Sequence, residues 1–377
     1  MKISRKIYLS IATALTIAIM LAAPYLPGAG IGTDHVSKSG LLTMESVSAA
    51  SQNEELPNVA ILATGGTIAG SGNSGTDTTD YKAGELSVEA LINAVPEMAD
   101  IANISGEQIA NVGSPEITNE ILLKLGNRIN ELLASDDVDG VVVTHGTDTL
   151  EETAYFLNLV VKSDKPVVVV GSMRPATAVS ADGPLNLYNA VLLASSQESK
   201  GRGVLVALND RIGAARYITK TNTTVVDTFS AAEEGYLGRI VGGKPYYYNE
   251  STRKHTAETV FDISQVTELP QVDIVYSYQS NPRYMIDGAV ENGADGIVIV
   301  GSGNGSLSSA YVEGAQNAIE SGSEIVVSSR VGTGTVSPRD SFITSDSLNA
   351  QKARILLMLA LTVTDDDDQI QKFYNEY

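Results

Sequence analysis

The sequence contains no cysteine and no tryptophan, and only three of its 377 residues are histidine. Without cysteine we expect no disulfide, no thiolate metal site and no lipid-modified cysteine at a mature N-terminus. So few histidines, with no second one near His145, predict that the chain has no metal site. Positive charge is also scarce, because 25 lysines and arginines stand against 45 aspartates and glutamates, for a net charge of −20. This acidic balance argues against nucleic acid and anionic membranes as partners.

The first fifty residues differ from the rest of the chain. Three basic residues within the first six precede an apolar run at residues 7–23, as in a secretory signal peptide. The run is shorter than the roughly 20 residues of a spanning helix, which favours an export signal over a membrane anchor. Small residues at 47–49, or alternatively at 22–23, offer a cleavage site. We therefore expect a protein secreted to the extracellular space or periplasm, with residues 1–50 as signal peptide and pre-mature segment.

Short β-branched apolar runs alternate with segments of helical periodicity along the remaining chain. Runs such as 141–143 and 167–170 predict buried strands, and segments such as 121–133 and 150–161 predict helices. This alternation is typical of a mostly parallel sheet covered by helices on both faces. The pattern lapses in a polar stretch at 249–270 and then resumes. The predicted α/β fold has a larger N-terminal catalytic domain at 51–248 with a mostly parallel sheet, a linker at 249–270, and a smaller, Rossmann-like C-terminal α/β domain at 271–377.

The C-terminal region is rich in leucine and then in aspartate. Helical periodicity predicts a final helix at about residues 348–361. The four aspartates at 365–368 follow it, and we interpret them as a solvated turn, because the spacing of a calcium-binding loop is missing.

The segment at residues 140–150, GVVVTHGTDTL, has the strongest functional signal. Its three valines predict a buried strand that delivers Thr147 and Asp148 to the strand's carboxyl end. Thr149, with Glu152 three residues later, predicts a capping box at the start of a helix. A hydroxyl and a carboxylate are therefore expected where open α/β sheets bind ligands, beside a helix N-terminus.

Other polar groups follow other predicted strands. The glycine-rich segment 64–70 holds Thr67, and its spacing matches neither a dinucleotide fingerprint nor a P-loop, which disfavours a nucleotide site. Lys220 lies among threonines, where burial of its amine would let it accept a threonine proton, although a surface lysine is the alternative. His145 is a candidate general base or metal ligand, but a structural role as a hydrogen-bonded histidine is favoured.

Three further segments combine glycine with hydroxyl groups. Tyr81 lies in a polar stretch at 71–84, which we interpret as a loop that closes over the site, with an exposed linker as the alternative. Ser114, and the GSGNGS segment at 301–306, each follow a predicted strand. Either one offers hydroxyls to a ligand or forms a plain turn.

Two long motifs in this order, LATGGTIAG at 62–70 and GVVVTHGTDTL at 140–150, resemble the bacterial type II L-asparaginase family. The resemblance covers essentially all of residues 56–377. It implies hydrolysis of asparagine to aspartate and ammonia, without cofactor or metal, by a homotetramer built as a dimer of intimate dimers. Further matching motifs are EETAYFLNL at 151–159, GSMRP at 171–175, SADGPLNLYNAV at 180–191, TKTNTT at 219–224, GSGNGSL at 301–307 and QKARILLMLAL at 351–361.

The resemblance also implies roles for individual residues. Thr67 is the expected nucleophile on the side-chain amide carbon, and Tyr81 matches the tyrosine of the mobile lid beside it. Thr147 is expected to position or activate water, Lys220 to relay protons, and Asp148 to hold the substrate's amino group. The implied substrate-binding residues are Ser114, which grips the α-carboxylate, Thr147, Asp148, Ser172, and Asn304, which reaches the substrate site of a neighbouring subunit.

Two departures from the family pattern bear on substrate choice. Pro115 stands where a glutamine usually contacts the substrate. The loop after Val331 is short and lacks the family's glutamate, for which Asp340 is a candidate replacement. A mixed glutaminase-asparaginase therefore stays open beside an asparaginase. From other classes, a secreted amino-acid-binding protein and an inactive homologue are the alternatives.

Overall fold

The computed structural model describes residues 47–48 and 55–377. Except for Val47–Ser48, the predicted export segment at residues 1–50, including its apolar run, lies outside these residues. The strands, numbered along the chain, are β1 (Val47–Ser48), β2 (Asn58–Gly65), β3 (Ser71–Gly72), β4 (Tyr81–Lys82), β5 (Asn103–Val112), β6 (Gly140–Thr144), β7 (Val167–Val170), β8 (Val204–Leu208), β9 (Arg211–Ala214), β10 (Thr219–Lys220), β11 (Phe229–Ser230), β12 (Gly238–Val241), β13 (Lys244–Tyr247), β14 (Val272–Tyr276), β15 (Gly296–Gly301), β16 (Glu324–Ser329) and β17 (Ile343–Thr344). The α-helices are α1 (Val88–Asn93), α2 (Asn119–Ala134), α3 (Leu150–Val160), α4 (Gly183–Ala194), α5 (Tyr284–Glu291), α6 (Ser309–Glu320), α7 (Ala350–Ala360) and α8 (Asp367–Glu376).

The strand order of the larger sheet creates a crevice at one edge. Within the described part of the chain, its order is β1-β5-β2-β6-β7-β8-β9-β12-β13. The five central strands, β5, β2, β6, β7 and β8, run parallel to one another. The outer strands, β1, β9, β12 and β13, pair antiparallel with their neighbours. The prediction of a mostly parallel sheet is confirmed. The chain passes from β2 to β5 on one side and then to β6 on the other, so the carboxyl ends of these three strands border a switch point, where ligands bind in open α/β sheets.

Strand β6 shows why both faces of this sheet are buried. Val141 and Val143 belong to one hydrophobic cluster, together with Phe156 of α3. Val142, which points to the opposite face, belongs to a second cluster with Leu187 of α4. Each fully buried valine stabilises the fold by about 1.5–3 kcal/mol relative to an exposed one. The sheet is therefore sandwiched between helices, as the alternating pattern predicted.

The smaller sheet consists of β14, β15, β16 and β17, all parallel. Ile297 and Ile299 of β15 pack with residues of α5 and α6, whereas Val298 packs on the other face with α7. Helices on both faces of a parallel sheet confirm the smaller C-terminal α/β domain. Of the helices in the described residues, none is long and apolar enough to span a membrane.

The predicted capping box at the start of α3 is wrong. Thr149 precedes the helix, but its side chain makes no capping hydrogen bond. Its Oγ1 instead donates to the carbonyl oxygen of Ser114 at 2.8 Å. The hydroxyl is used to tie the end of β6 to the end of β5, and this tertiary contact outweighs the local cap.

The predicted solvated turn after the last leucine-rich helix is correct only in part. All four aspartates are exposed, but Asp367 and Asp368 already belong to a further helix. The leucine-rich helix is α7, and the chain continues into α8. Asp366 caps α8, with its Oδ1 accepting from the N–H of Gln369 at 2.7 Å. Carboxylates are favoured at this end of a helix, where they meet free N–H groups and the positive end of the helix dipole.

The stretch at 249–270 packs against this C-terminal helix. Phe261 is 1% exposed. Its ring lies 5.2 Å from that of Phe373 and 5.4 Å from that of Tyr377, both in edge-on arrangements. These aromatic contacts anchor the segment between the two sheets to the end of the chain.

Candidate active site

Two glycine turns bring the ends of β2 and β6 into contact. Gly66 follows β2 with a φ of 82°, in the left-handed region that favours glycine. A Cβ atom on Gly66 would lie 2.2 Å from the N and Cα atoms of Gly146. Only a residue without a side chain permits this approach. The turns that carry Thr67 and Thr147 therefore meet at the crevice.

Thr67 lies beneath Tyr81. It begins a 3-10 turn after β2 and is 6% exposed. Its Oγ1 lies 2.8 Å from the hydroxyl oxygen of Tyr81. The short hairpin of β3 and β4, which pairs Gly72 with Tyr81, returns the tyrosine to this position. The segment predicted as a lid thus places a phenol within proton-transfer distance of the Thr67 hydroxyl.

Thr147, Asp148 and Lys220 form a second group. The Nζ of Lys220 donates to Thr147 Oγ1 at 3.0 Å and to Asp148 Oδ1 at 2.6 Å. The Lys220 side chain is 16% exposed, whereas that of Asp148 is 62% exposed. A mostly buried amine between a hydroxyl and a carboxylate has the geometry that a proton relay requires. The structure brings these three residues together, although Lys220 is distant from the other two in sequence.

Ser114 joins this second group from the end of β5. The residue is 4% exposed, and its Oγ accepts a hydrogen bond from the N–H of Asp148 at 3.2 Å. A Cβ atom on Gly146 would lie 2.9 Å from the same Oγ. Three strand ends therefore converge, and each contributes a hydroxyl-bearing side chain.

A cavity of about 350 Å³ opens beside these groups. This volume lies at the small end of the range for ligand pockets, about 300–1,000 Å³, and suits a molecule of amino-acid size. Its walls are mostly polar, and they are formed by Thr78, Thr79, Tyr81, Thr147, Asp148, Met173, Arg174, Ser180, Lys220, Thr223 and Thr224.

His145 is fully buried and supports the site from behind. Its Nδ1 lies 2.7 Å from the carbonyl oxygen of Gly146, and its Nε2 lies 2.8 Å from Thr153 Oγ1 on α3. Burial lowers the pKa of His145 to about 4, so the ring is neutral near pH 7. A neutral ring donates from Nδ1 and accepts at Nε2, which fixes the turn to the helix. Among the described residues, no cluster of histidine, aspartate and glutamate could hold a metal ion.

Ser172 and Asn304 lie apart from this cavity. Ser172 is 0% exposed, and its Oγ donates to the carbonyl oxygen of Arg174 at 2.8 Å, within the turn that forms one cavity wall. Asn304 lies at the end of β15, where its side-chain amide exchanges two hydrogen bonds of 2.9 Å with Ser337. Arg339 donates to the carbonyl oxygens of Asn304 and Gly305. Asn304 is exposed, in the turn that follows β15 of the smaller sheet.

The two departures from the family pattern have definite positions. Pro115 lies in a 3-10 turn directly after Ser114. In the loop after Val331, the N–H of Gly334 donates to the Glu233 carboxylate at 3.1 Å. Glu233, which the sequence reasoning did not consider, therefore supplies a carboxylate to this loop.

The sequence reasoning also missed part of the cavity wall. Met173 and Arg174 are turned toward the cavity by Asp182, whose carboxylate accepts from their two N–H groups at 2.9 and 3.0 Å. Asp182 lies nine and eight residues after Met173 and Arg174 in the sequence, so no local pattern shows this contact. Thr223 and Thr224 follow Lys220 in the TKTNTT motif and line the same space.

Comparison with known proteins matches nearly all of the described chain. The family model "Asparaginase, N-terminal" matches residues 58–253, and "Glutaminase/Asparaginase C-terminal domain" matches residues 271–374. L-asparaginase 2 of Bacillus subtilis is 62% identical over 337 residues, which cover 88% of this chain and 90% of that protein. A probable periplasmic L-asparaginase of Haemophilus influenzae is 48% identical, and the alignment covers 91% of this chain and 99% of that protein.

A solved structure agrees with these matches. The crystal structure of a probable cytoplasmic L-asparaginase from Campylobacter jejuni superimposes with a TM-score of 0.84 at 50% sequence identity. The alignment covers 85% of this chain and all of that one. The resemblance that the motifs suggested therefore extends through both sheets.

Proposed function

The chain belongs to the asparaginase family of amidohydrolases, and from this premise we propose that it hydrolyses L-asparagine to L-aspartate and ammonia with Thr67 as the nucleophile. One observation carries the proposal more than any other. Two buried threonine hydroxyls are each hydrogen-bonded to a group that can move a proton. Both of those groups, Tyr81 and Lys220, line one small polar cavity. A binding protein would need neither pair.

In the first half of the proposed reaction, Thr67 Oγ1 attacks the side-chain amide carbon of asparagine. The hydroxyl proton passes to the Tyr81 oxygen at 2.8 Å and from there toward the leaving nitrogen. The C–N bond breaks, ammonia leaves, and the aspartyl group is held as an ester on Thr67. Backbone N–H groups at the Thr67 turn and at Thr147 stabilise the oxyanion, a contribution of about 3 kcal/mol per donor in comparable sites.

In the second half, water replaces the threonine oxygen. Thr147 positions the water, and Lys220, bonded to Thr147 at 3.0 Å, relays its proton. The ester C–O bond breaks, aspartate is released and the Thr67 hydroxyl is restored. A split of one difficult step into two easier ones is the benefit of covalent catalysis.

The remaining polar groups are proposed to hold the substrate's backbone end. Asp148 is 62% exposed at its side chain and attracts the substrate ammonium group. Ser114 Oγ, which already accepts from Asp148 N–H, is left with a proton to donate to the α-carboxylate. Ser172 acts indirectly, because its bond to Arg174 shapes the wall of the cavity.

We expect the purified protein to release ammonia faster from asparagine than from glutamine. One methylene in a fitted pocket changes kcat/KM by about 10–200-fold, and the polar cavity is small. The measurement is ammonia release from both amides, side by side, over a range of concentrations.

Equal kcat/KM values would instead make the protein a mixed glutaminase-asparaginase, an activity pair that the matched C-terminal family description names. Binding of asparagine without ammonia release would contradict the proposed function and leave a binding protein or an inactive homologue.

Export is proposed from the sequence of residues 1–50 and from the printed name of the Haemophilus relative, which describes a periplasmic protein. The Campylobacter neighbour, by contrast, is described as cytoplasmic. Mass spectrometry of the protein outside the cytoplasm should find a new N-terminus after residue 22 or near residue 49. An intact Met1 in the cytoplasmic fraction alone would contradict export.

We also propose that the chain works as a homotetramer, a dimer of intimate dimers, with Asn304 completing the substrate site of a neighbour. Asn304 is exposed, and Ser337 and Arg339 hold its loop in place. Asn304→Ala should therefore raise KM while the single-chain fold persists. Mass photometry with parallel activity assays tests this proposal, because full turnover by a monomer would rule it out.

A further inference from the structure

Lys220 lies on a short strand that does not pair with the larger sheet. β10 has two residues and pairs with β11 alone, through Thr219 with Ser230 and Lys220 with Phe229. Neighbouring residues on a strand point to opposite sides. Lys220 therefore reaches the cavity of the proposed active site, and Thr219 faces a second cavity of about 240 Å³, which Asn349 and Lys352 also line. The position of Lys220 depends on what holds this short strand from behind.

The buried carboxylate of Glu151 holds strand β10 in place. Glu151 is 5% exposed and lies in the first turn of α3, three residues after Asp148. Its Oε2 accepts from Thr219 Oγ1 and from Asn349 Nδ2, the latter at 3.1 Å. Its Oε1 accepts from Gln351 Nε2 at 3.1 Å. Glu151 thus connects the turn that carries Thr147 and Asp148 to the strand that carries Lys220.

A buried lysine of α7 holds the main chain just before this strand. Lys352 is 2% exposed, and its Nζ donates to the carbonyl oxygens of Arg216, at 2.9 Å, and Ile218. The same Nζ lies 3.8 Å from Glu151 Oε2. Burial lowers the pKa of Lys352 to about 8, while the charge of Glu151 favours its protonated form and that of Arg216 opposes it. The carboxylate and the ammonium therefore depend on each other inside the fold.

We propose that Glu151 is a positioning residue which, through Thr219 and with Lys352 as its counter-charge, sets the distance between the Lys220 amine and Thr147. This inference rests on the proposed function in assigning Lys220 a part in catalysis. It adds residues from α3 and from α7, a helix of the C-terminal domain, to the machinery. Precise placement matters because a displacement of about 1 Å in an active site can lower a rate by about 10²-fold.

Thr219→Val tests the link, since valine keeps the shape of threonine and removes the hydroxyl that donates to Glu151 and accepts from Asn349. We expect kcat for asparagine to fall by about 10- to 100-fold. KM should change little, because Asp148 and Ser114 are untouched. Thr219→Ser, which restores a hydroxyl, should recover most of the lost kcat. Because a smaller folded fraction would also lower the apparent kcat at constant KM, kcat is calculated from the concentration of folded protein.

A second measurement does not depend on turnover. Acetic anhydride acylates free amines, and mass spectrometry can follow its reaction with Lys220 in the intact protein. Held by two acceptors and 16% exposed, Lys220 should react slowly in the unmodified protein. In Thr219→Val it should react several-fold faster.

Tyr374→Phe is the matched control. The Tyr374 hydroxyl is buried and donates to the carbonyl oxygen of Ala353, next to Lys352 on the same helix, at 2.7 Å. Its loss should lower thermal stability and leave both kcat and Lys220 labelling unchanged. Equal changes in both variants, or wild-type labelling in Thr219→Val, would overturn the positioning role. Absence of ammonia release from the unmodified protein would instead overturn the proposed function, and the labelling would still decide the role of Glu151.

Discussion

Thr67→Ala should lower ammonia release from asparagine by at least about 10³-fold, the order expected when a covalent nucleophile is removed. Thr67 is 6% exposed, and the hydrogen-bond partner of its hydroxyl, Tyr81, lines the cavity. Alanine fits the same space and costs one hydrogen bond, so the fold should lose only about 1 kcal/mol. The measurement is kcat by ammonia assay, with thermal unfolding recorded in parallel.

Thr67→Ser is the matched control, because it keeps the hydroxyl and removes only the methyl group. It should retain measurable turnover, reduced because serine is freer to rotate about χ1 than threonine. Mass spectrometry of protein quenched during turnover should find an aspartyl adduct on residue 67 in the active forms. Near-normal ammonia release by Thr67→Ala would exclude Thr67 as the nucleophile and direct attention to Thr147.

The sequence predicted the parts of this site that depend on local pattern. The valine run before Thr147 indicated a buried strand, and the structure has β6 there with every residue buried. Gly66 and Gly146 lie in the segments after two predicted strands, but their contact depends on β2 and β6 being neighbours. That adjacency is a property of the sheet, which no local pattern contains.

Where local pattern and tertiary contact competed, the tertiary contact prevailed. Thr149 has the sequence of a helix cap, yet its hydroxyl bonds to Ser114 on another strand end.

Helix α8 could have been predicted from local pattern. The aspartates before it are typical of a helix start, and the buried residues after them have helical spacing, namely Ile370, Phe373, Tyr374 and Tyr377.

The three residues of the Glu151 network lie in segments that match the family, 151–159, 219–224 and 351–361, but no local pattern shows that they meet. Glu151, Thr219 and Lys352 come from three distant segments, and each residue alone is typical of a solvated surface. Only the packing of α3 against α7 in a shared core makes them partners. Buried ionic groups of this kind become visible when burial and hydrogen bonds are known together.

Lys220→Met should slow the second half of the reaction more than the first. Methionine has a similar length but cannot carry a proton, and loss of one general acid-base group costs about 10²–10⁴-fold. In the proposed scheme, Thr67 still attacks and ammonia still leaves, since Tyr81 serves that step. The ester then accumulates because water at Thr147 is no longer activated. Rapid-quench assays should therefore show a burst of about one ammonia per site, followed by slow turnover.

Lys254→Met is the control, because the Lys254–Glu376 ion pair has a length of 2.8 Å, similar to the 2.6 Å of Lys220–Asp148, but lies outside the cavity. A surface pair of this kind contributes about 0–1 kcal/mol, so its loss should leave both phases intact. Slow ammonia release without a burst in Lys220→Met would assign Lys220 to the first step. Tyr81 and Lys220 would then both move protons while ammonia leaves. A burst followed by slow turnover would instead assign Tyr81 to ammonia release and Lys220 to hydrolysis of the ester.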